Sequence, residues 1–251
     1  MAIKNNKSLG QHWLKNRMIL DDIADFAIVD GVENCLEIGP GLGTLTSSLL
    51  RRFKKVTAVE FDANLAQNLP KSFPGKNLEV INADFLKYDL DSVEGPYVAA
   101  GNIPYYITSP IIERLLMAEN QPKKVVLLIQ KEVAERIAAE KGHHSVLSLF
   151  VQNRASVELG PIVVKGEFTP PPKVDSEIII LTPKNPEIGE EVFKLIKTGF
   201  SSPRKKLIAN IAGVKSKDEL KAIFEKLEIN ENARPADLSL KDWERLYKSM
   251  L

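Results

Sequence analysis

The sequence predicts an α/β protein, a parallel doubly wound sheet followed by a small all-helical tail. Strand-like apolar runs alternate with helix-like segments between residues 34 and 129, the pattern of repeated βαβ units. A glycine-rich turn, Gly39-Pro40-Gly41-Leu42-Gly43, follows the first of these runs. From Glu187 onward only helical spacing of apolar residues remains.

Asn34–Ile38 reads as the first strand. Leu42, Leu45, Leu49 and Leu50 put a helix after the glycine turn, with Arg51 and Arg52 near its end. Val56–Glu60 is the second strand, Asp62 to about Leu69 a short helix, and Pro74-Gly75 a turn into a third strand, Leu78–Asn82. Tyr97–Ala100 is the fourth strand, and Pro110–Met117 a helix with Ile111, Ile112, Leu115 and Leu116 on one side. Val125–Ile129 is apolar throughout, as a strand buried on both faces is. Farther on, His144–Gln152 reads as a helix, Ala155–Leu159 and Ser176–Leu181 as strands, and proline-rich Phe168–Lys173 as a loop. Thr182–Pro186 is a linker, and helices are expected over Val192–Phe200, Arg204–Ile211, Lys217–Leu227 and Leu240–Leu251. The expected division is a first domain over 1–186, with a basic arm over 1–17, and a helical domain over 187–251.

With 251 residues, 44% hydrophobic and 27% charged, the chain has a globular composition and can bury a sizeable core. No run approaches the ~18 apolar residues of a membrane span. The first 17 residues lack the apolar stretch of a secretory signal, so a cytoplasmic protein is expected. The single cysteine, Cys35, excludes an internal disulfide and a thiolate metal cluster and is expected in the core. His143-His144 is expected in a solvated loop, and no metal site is expected. The net charge of +1 is uneven: residues 1–17 carry Lys4, Lys7, Lys15 and Arg17 and no acid, whereas residues 187–251 sum to +2. A basic arm and a mildly basic tail around an acidic body point to nucleic-acid contact. Lys197, Arg204, Lys205 and Lys206 form the densest basic cluster in the tail.

Four strand ends carry the candidate chemistry. In Glu37-Ile38-Gly39-Pro40-Gly41-Leu42-Gly43 the glycines let the backbone turn sharply and let a ligand approach the main chain. The spacing is G-x-G-x-G; a dinucleotide fingerprint would place its third glycine where Thr44 stands. Glu37 would repel a pyrophosphate and suits a ligand with a cationic group. Glu60, ending the second strand, can accept from both hydroxyls of a ribose. Asp84, after the third strand, can accept from an exocyclic adenine amine, with Phe85 packing nearby. After the fourth strand comes Gly101-Asn102-Ile103-Pro104-Tyr105-Tyr106. The Asn102 side-chain carbonyl and the Ile103 carbonyl, restricted by Pro104, suit an amine with two donors. Tyr105 supplies a flat face for a base. This resembles the (N/D)-P-P-Y-type signature of methyltransferases that act on exocyclic amines, in its N-I-P-Y form.

Taken together, the chain resembles the rRNA adenine N6,N6-dimethyltransferases, a family that includes the KsgA-type small-subunit enzymes and the Erm enzymes. Lys7-Ser8-Leu9-Gly10-Gln11-His12-Trp13-Leu14 is similar to the family's N-terminal G-Q-N-F-L element, with His12 and Trp13 where Asn and Phe are usual. Gln130–Arg136, Phe168–Ser176 (as F-x-P-x-P-K-V-x-S), Phe200 with Arg204–Leu207 and Asn210, and Arg234–Ser239 extend the likeness nearly end to end. Tyr106 stands where Asn is common. The resemblance implies a class-I, Rossmann-like methyltransferase sheet, S-adenosylmethionine as cofactor, and small-subunit rRNA in a 30S-type subunit as partner, with the enzyme acting as a monomer. By resemblance, Gln11, His12 and Leu14 would help close the methionine end of the cofactor. Gly39 and Gly41 would line it, Glu60 would bind its ribose, and Asp84 with Phe85 its adenine. Asn102, Ile103 and Pro104 would hold the target amine, and Tyr105 and Phe168 would sandwich the base. Competing expectations are an Erm-type large-subunit methyltransferase and a non-catalytic ribosome-assembly factor on the same scaffold. A NAD-dependent dehydrogenase is opposed by the glycine spacing and by Glu37.

Overall fold

A computed structural model describes residues 12–251. The chain forms two compact units. The first takes the chain up to Ala134 together with Ser156–Pro183. Its seven-stranded sheet has the order β4-β3-β2-β5-β6-β9-β7. The strands are β2 (Asn34–Ile38), β3 (Lys55–Glu60), β4 (Leu78–Asn82), β5 (Tyr97–Asn102), β6 (Val125–Gln130), β7 (Ala155–Val163) and β9 (Ser176–Pro183). The first five run parallel, as the alternating pattern predicts. The sheet is nevertheless mixed, because β9 lies antiparallel to β6, with Val125 opposite Leu181 and Gln130 opposite Ser176. Every residue of Val125–Ile129 is fully buried, which explains its unbroken apolar run.

Helices α2 (Thr44–Leu49), α3 (Ala63–Asn68), α4 (Thr108–Met117) and α5 (Lys131–Ile137) follow β2, β3, β5 and β6. An additional helix, α1 (Arg17–Phe26), starts where the basic arm was expected to end. The Asn16 side chain caps it by accepting from the Met18 N–H at 3.1 Å. Leu20, Ile23 and Ala24 form its buried face, while Asp25 pairs with Arg52, just past α2, at 2.5 Å. A two-stranded ribbon completes the unit: β1 (Trp13–Leu14) pairs antiparallel with β8 (Phe168–Thr169), which lies in the segment expected to be a loop. Side chains alternate along this ribbon. Leu14 and Phe168, directly opposite each other, are 0% and 3% exposed and join the apolar cluster that also holds Cys35, Leu20, Ile23 and Val126.

The second unit consists of Glu135–Ala155 and Lys184–Leu251. It contains α6 (Val146–Arg154), α7 (Glu190–Gly199), α8 (Leu207–Asn210), α9 (Lys217–Lys226) and α10 (Leu240–Met250). The expected boundary at residue 186 therefore needs correction, because α6 belongs with the tail. Phe150 packs edge-on against Phe193 with centroids 5.7 Å apart. The Asn153 amide donates to the Ile188 carbonyl at 3.1 Å, and its oxygen accepts from the Ile188 N–H at 2.9 Å. The Arg154 guanidinium stacks on Phe150 and pairs with Glu190. His144, expected to be solvated, is also buried here, and burial lowers its pKa. The helix expected over Arg204–Ile211 shrinks to α8, and Arg204–Lys206 form an exposed turn before it. Among the described residues no helix is long and apolar enough to cross a membrane.

Candidate active site

A cavity of about 280 Å³ opens at the carboxyl ends of β2, β3, β4 and β5, inside the first unit. Ligands bind at this edge of open α/β sheets, where loops diverge and main-chain groups stay available. Its walls include Glu37, Gly39, Gly41, Glu60, Asp84, Phe85, Asn102, Ile103, Pro104 and Tyr105, so the four strand ends converge on one site. His12 and Trp13 enter it from β1 and the residue before it.

The glycines of the first loop serve different ends. Gly41 has φ +56°, and a Cβ there would come within 3.3 Å of the Trp13 indole nitrogen. Gly43 has φ +79°, and its Cβ would meet Leu69 at 2.5 Å and Phe73 at 2.9 Å. Gly41 thus keeps the cavity wall thin, whereas Gly43 seats α2 against the short helical turn after α3 and does not line the cavity.

Glu60 is 6% exposed and its carboxylate is already ordered. Oε2 accepts from the Gly41 N–H at 2.9 Å and Oε1 from the Asp62 N–H at 2.8 Å. Each oxygen has a second lone pair for a ligand hydroxyl. Burial pushes its pKa up, against the pull of those backbone bonds. Asp84 uses Oδ1 to cap the following turn, accepting from Leu86 N–H at 3.0 Å, so its second oxygen is left for the cavity. Glu37 is different. It is 1% exposed, and the polar group that faces it is Thr46 of α2, whose pull on its pKa is outweighed by burial. Burial, with the neighbouring Glu60 charge, pushes its pKa up to about 8. A cationic ligand bound against this wall would favour the ionised form of the carboxyl over the protonated one.

The Asn102 side chain is oriented by one bond, its Nδ2 donating to the His12 carbonyl at 3.0 Å. A carbonyl accepts only, so the amide nitrogen faces His12 and Oδ1 remains as a free acceptor. Ile103 is 2% exposed, and Pro104 follows with φ −60°, which fixes the path of the main chain there. The Tyr105 hydroxyl bonds Ser176 Oγ at 2.7 Å, and burial holds its pKa up, so the ring is a neutral phenol.

Two of the expected site residues lie elsewhere. Phe168 and Leu14 face the core instead of the cavity, because they alternate with Trp13 and Thr169 along the ribbon. Gln11, Lys4 and Lys7 lie outside the described residues. Of the expected RNA-binding residues, Lys15, Arg17, Lys197, Arg204, Lys205 and Lys206 are all exposed. Sequence reasoning assigned no role to three aromatic or apolar wall residues, Trp13, Phe61 and Tyr106. Phe61 directly follows the strand-end acid Glu60, and Tyr106 follows Tyr105, so position was the available signal.

The sequence profile of the family described as ribosomal RNA adenine dimethylase matches residues 2–251. A Nostoc sp. protein named ribosomal RNA small subunit methyltransferase A is 39% identical over 97% of this chain and 97% of its own. Its namesake in Fusobacterium nucleatum is 38% identical over 99% of this chain and 98% of its own. A solved dimethyladenosine transferase from Plasmodium falciparum is 31% identical, with a TM-score of 0.79, over 94% of this chain and 96% of its own. The 23S rRNA methyltransferase ErmE is 28% identical, with a TM-score of 0.78, over 95% of this chain and 99% of its own. The fold is that of the class-I methyltransferases, and the chain belongs to the ribosomal RNA adenine dimethylase family.

Proposed function

We propose that this protein dimethylates N6 of adenosines in small-subunit rRNA, using S-adenosylmethionine. The observation that carries the reading is the convergence of Asn102, Ile103 and Tyr105 with Glu37, Glu60 and Asp84 on one cavity. The higher identity to the small-subunit relatives than to ErmE favours the small-subunit substrate over a large-subunit one. The same reading has the protein act on a 30S-type subunit, as a monomer, in the cytoplasm.

The cavity suits the cofactor on its own chemistry. The Glu37 carboxyl complements a cationic methionine end, which would favour its ionised form, Glu60 a ribose, and Asp84 with Phe85 an adenine. When bound, the cofactor supplies a methyl group activated by its sulfonium. The adenine amine is a weak nucleophile because its lone pair is delocalised into the ring. Asn102 Oδ1 and the Ile103 carbonyl accept from its two N–H groups and favour a pyramidal nitrogen whose lone pair is exposed. Tyr105 holds the base plane once the adenosine has left its stack. Because the methyl is already activated, positioning carries most of the rate and no strong general base is required. The test is tritiated methyl transfer to purified small and large ribosomal subunits, with nucleoside analysis. Dimethyladenosine in small-subunit rRNA is the expected product. Label confined to the large subunit would support the Erm-type alternative, and no label in either would favour a non-catalytic assembly role.

A further inference from the structure

We propose that the indole N–H of Trp13 donates to the carboxylate at the methionine end of the cofactor. The inference rests on the methyltransferase reading above and concerns the one charged group of that cofactor for which the cavity offers no opposite charge. The amino-acid end carries both an ammonium and a carboxylate. Glu37, Glu60 and Asp84 line the cavity, whereas among the described residues no lysine or arginine does. The carboxylate therefore enters a pocket of acidic groups, and neutral donors have to hold it there.

Several side-chain donors on the wall are already engaged. His12 Nδ1 lies 2.7 Å from the Pro170 carbonyl, which can only accept and so holds the ring. Asn102 Nδ2 donates to the His12 carbonyl at 3.0 Å, and the Tyr105 hydroxyl lies 2.7 Å from Ser176 Oγ. Trp13 Nε1 has no hydrogen-bond partner among the described residues. Thr44 and Tyr106 also line the cavity, but a hydroxyl can donate or accept, whereas an indole N–H only donates. The ring is placed by its strand: Trp13 stands opposite Thr169, and the alternation that sends Leu14 into the core turns Trp13 toward the cavity. Its polar edge lies against the glycine loop, where a Cβ on Gly41 would come within 3.3 Å of Nε1 and 3.5 Å of Cδ1. Glu37, which complements the ammonium, lines the cavity at the start of the same loop. Where Phe is usual in the family, Trp13 keeps a flat ring and adds one donor.

The test uses two ligands, S-adenosylhomocysteine and its decarboxylated form, S-adenosyl-3-thiopropylamine, which keeps the adenine, the ribose and the ammonium. Both are titrated by calorimetry into the wild type and Trp13→Phe. Trp13→Phe should bind S-adenosylhomocysteine roughly 10-fold more weakly, as loss of one hydrogen bond to a charged group does. It should bind the decarboxylated form as the wild type does. An unchanged affinity of the variant for S-adenosylhomocysteine would overturn the proposal. So would equal losses for the two ligands, which would place the indole against the part they share. A second measurement needs no variant: the indole N–H signals of the two tryptophans, followed by NMR. Trp243 is fully buried in the second unit, so its signal should stay in place. The other should move downfield on saturation with S-adenosylhomocysteine and not with the decarboxylated form. Two unmoved signals, or the same shift with both ligands, refute the assignment. If S-adenosylhomocysteine does not bind the wild type at all, the methyltransferase reading fails and the proposal with it, whereas binding without these Trp13 effects overturns the proposal alone.

Discussion

Asn102 is tied on its nitrogen side and open on its oxygen side, and this asymmetry fits a residue that receives a substrate. Asn102→Ala removes an oriented acceptor from the proposed reacting centre and leaves Glu60 and Asp84 in place. Methyl transfer should fall on the order of 100-fold in single-turnover assays while cofactor affinity by calorimetry changes little. Glu37 makes a prediction about pH. Its carboxyl is pushed from 4.5 up to about 8 by burial, so between these values the folded chain holds a proton that the unfolded chain has released. Stability from this group is therefore fully present below about pH 4.5 and is lost as the pH rises toward 8. Glu37→Gln should flatten that decline and be more stable than the wild type near pH 8 by up to a few kcal/mol, read from thermal unfolding without cofactor. An identical pH profile in the two proteins would show that Glu37 is ionised throughout.

Among the elements, β1 and β8 carry the largest difference between sequence and structure. Each is two residues long, and their pairing joins Trp13 to Thr169 across most of the chain. No local periodicity reveals a contact of that kind. Strands β2 to β6 were legible because each is a short, mostly apolar run set between helix-like or turn segments, and the acids Glu37, Glu60 and Asp84 at or just past the ends of β2, β3 and β4 were legible with them. Helix α1 had a readable signal in the Asn16 cap and the spacing of Leu20, Ile23 and Ala24, but the basic character of the preceding residues masked it. The assignment of Phe168 to the cavity missed the two-residue alternation of the ribbon. Phe168→Ala should accordingly destabilise the fold by about 3–5 kcal/mol, as large-to-small changes in a core do, seen as a lowered Tm. An unchanged Tm with lost RNA methylation would return Phe168 to the substrate side.

At the scale of the molecule, the second unit draws on both sides of the sheet's last strands in sequence, which explains why a single boundary at residue 186 misplaces α6. Composition hid this, because α6 is followed at once by strand β7. The exposed turn Arg204-Lys205-Lys206 is the strongest basic feature of this unit. Phosphate contacts position a protein on RNA and carry little sequence information. Neutralising all three side chains should weaken binding to small subunits and reduce its salt dependence by up to about three phosphate contacts' worth of slope. Folding and cofactor affinity should be nearly unchanged, since the proposed cofactor cavity lies in the first unit. A wild-type salt slope in the triple variant would shift attention to Lys15 and Arg17.

The pairing of Trp13 with Thr169 also has a consequence for synthesis. A chain emerging from the ribosome presents the glycine loop, Glu60 and Asn102 long before it presents Thr169. Until then β1 has no partner strand, His12 lacks the Pro170 carbonyl that holds its ring, and the bond that orients Asn102 has no fixed origin. Contacts this distant in sequence close slowly and late. The half-made protein therefore carries the candidate site residues without the assembled cavity, and its birth on the ribosome is separated in time from any chemistry on ribosomal RNA.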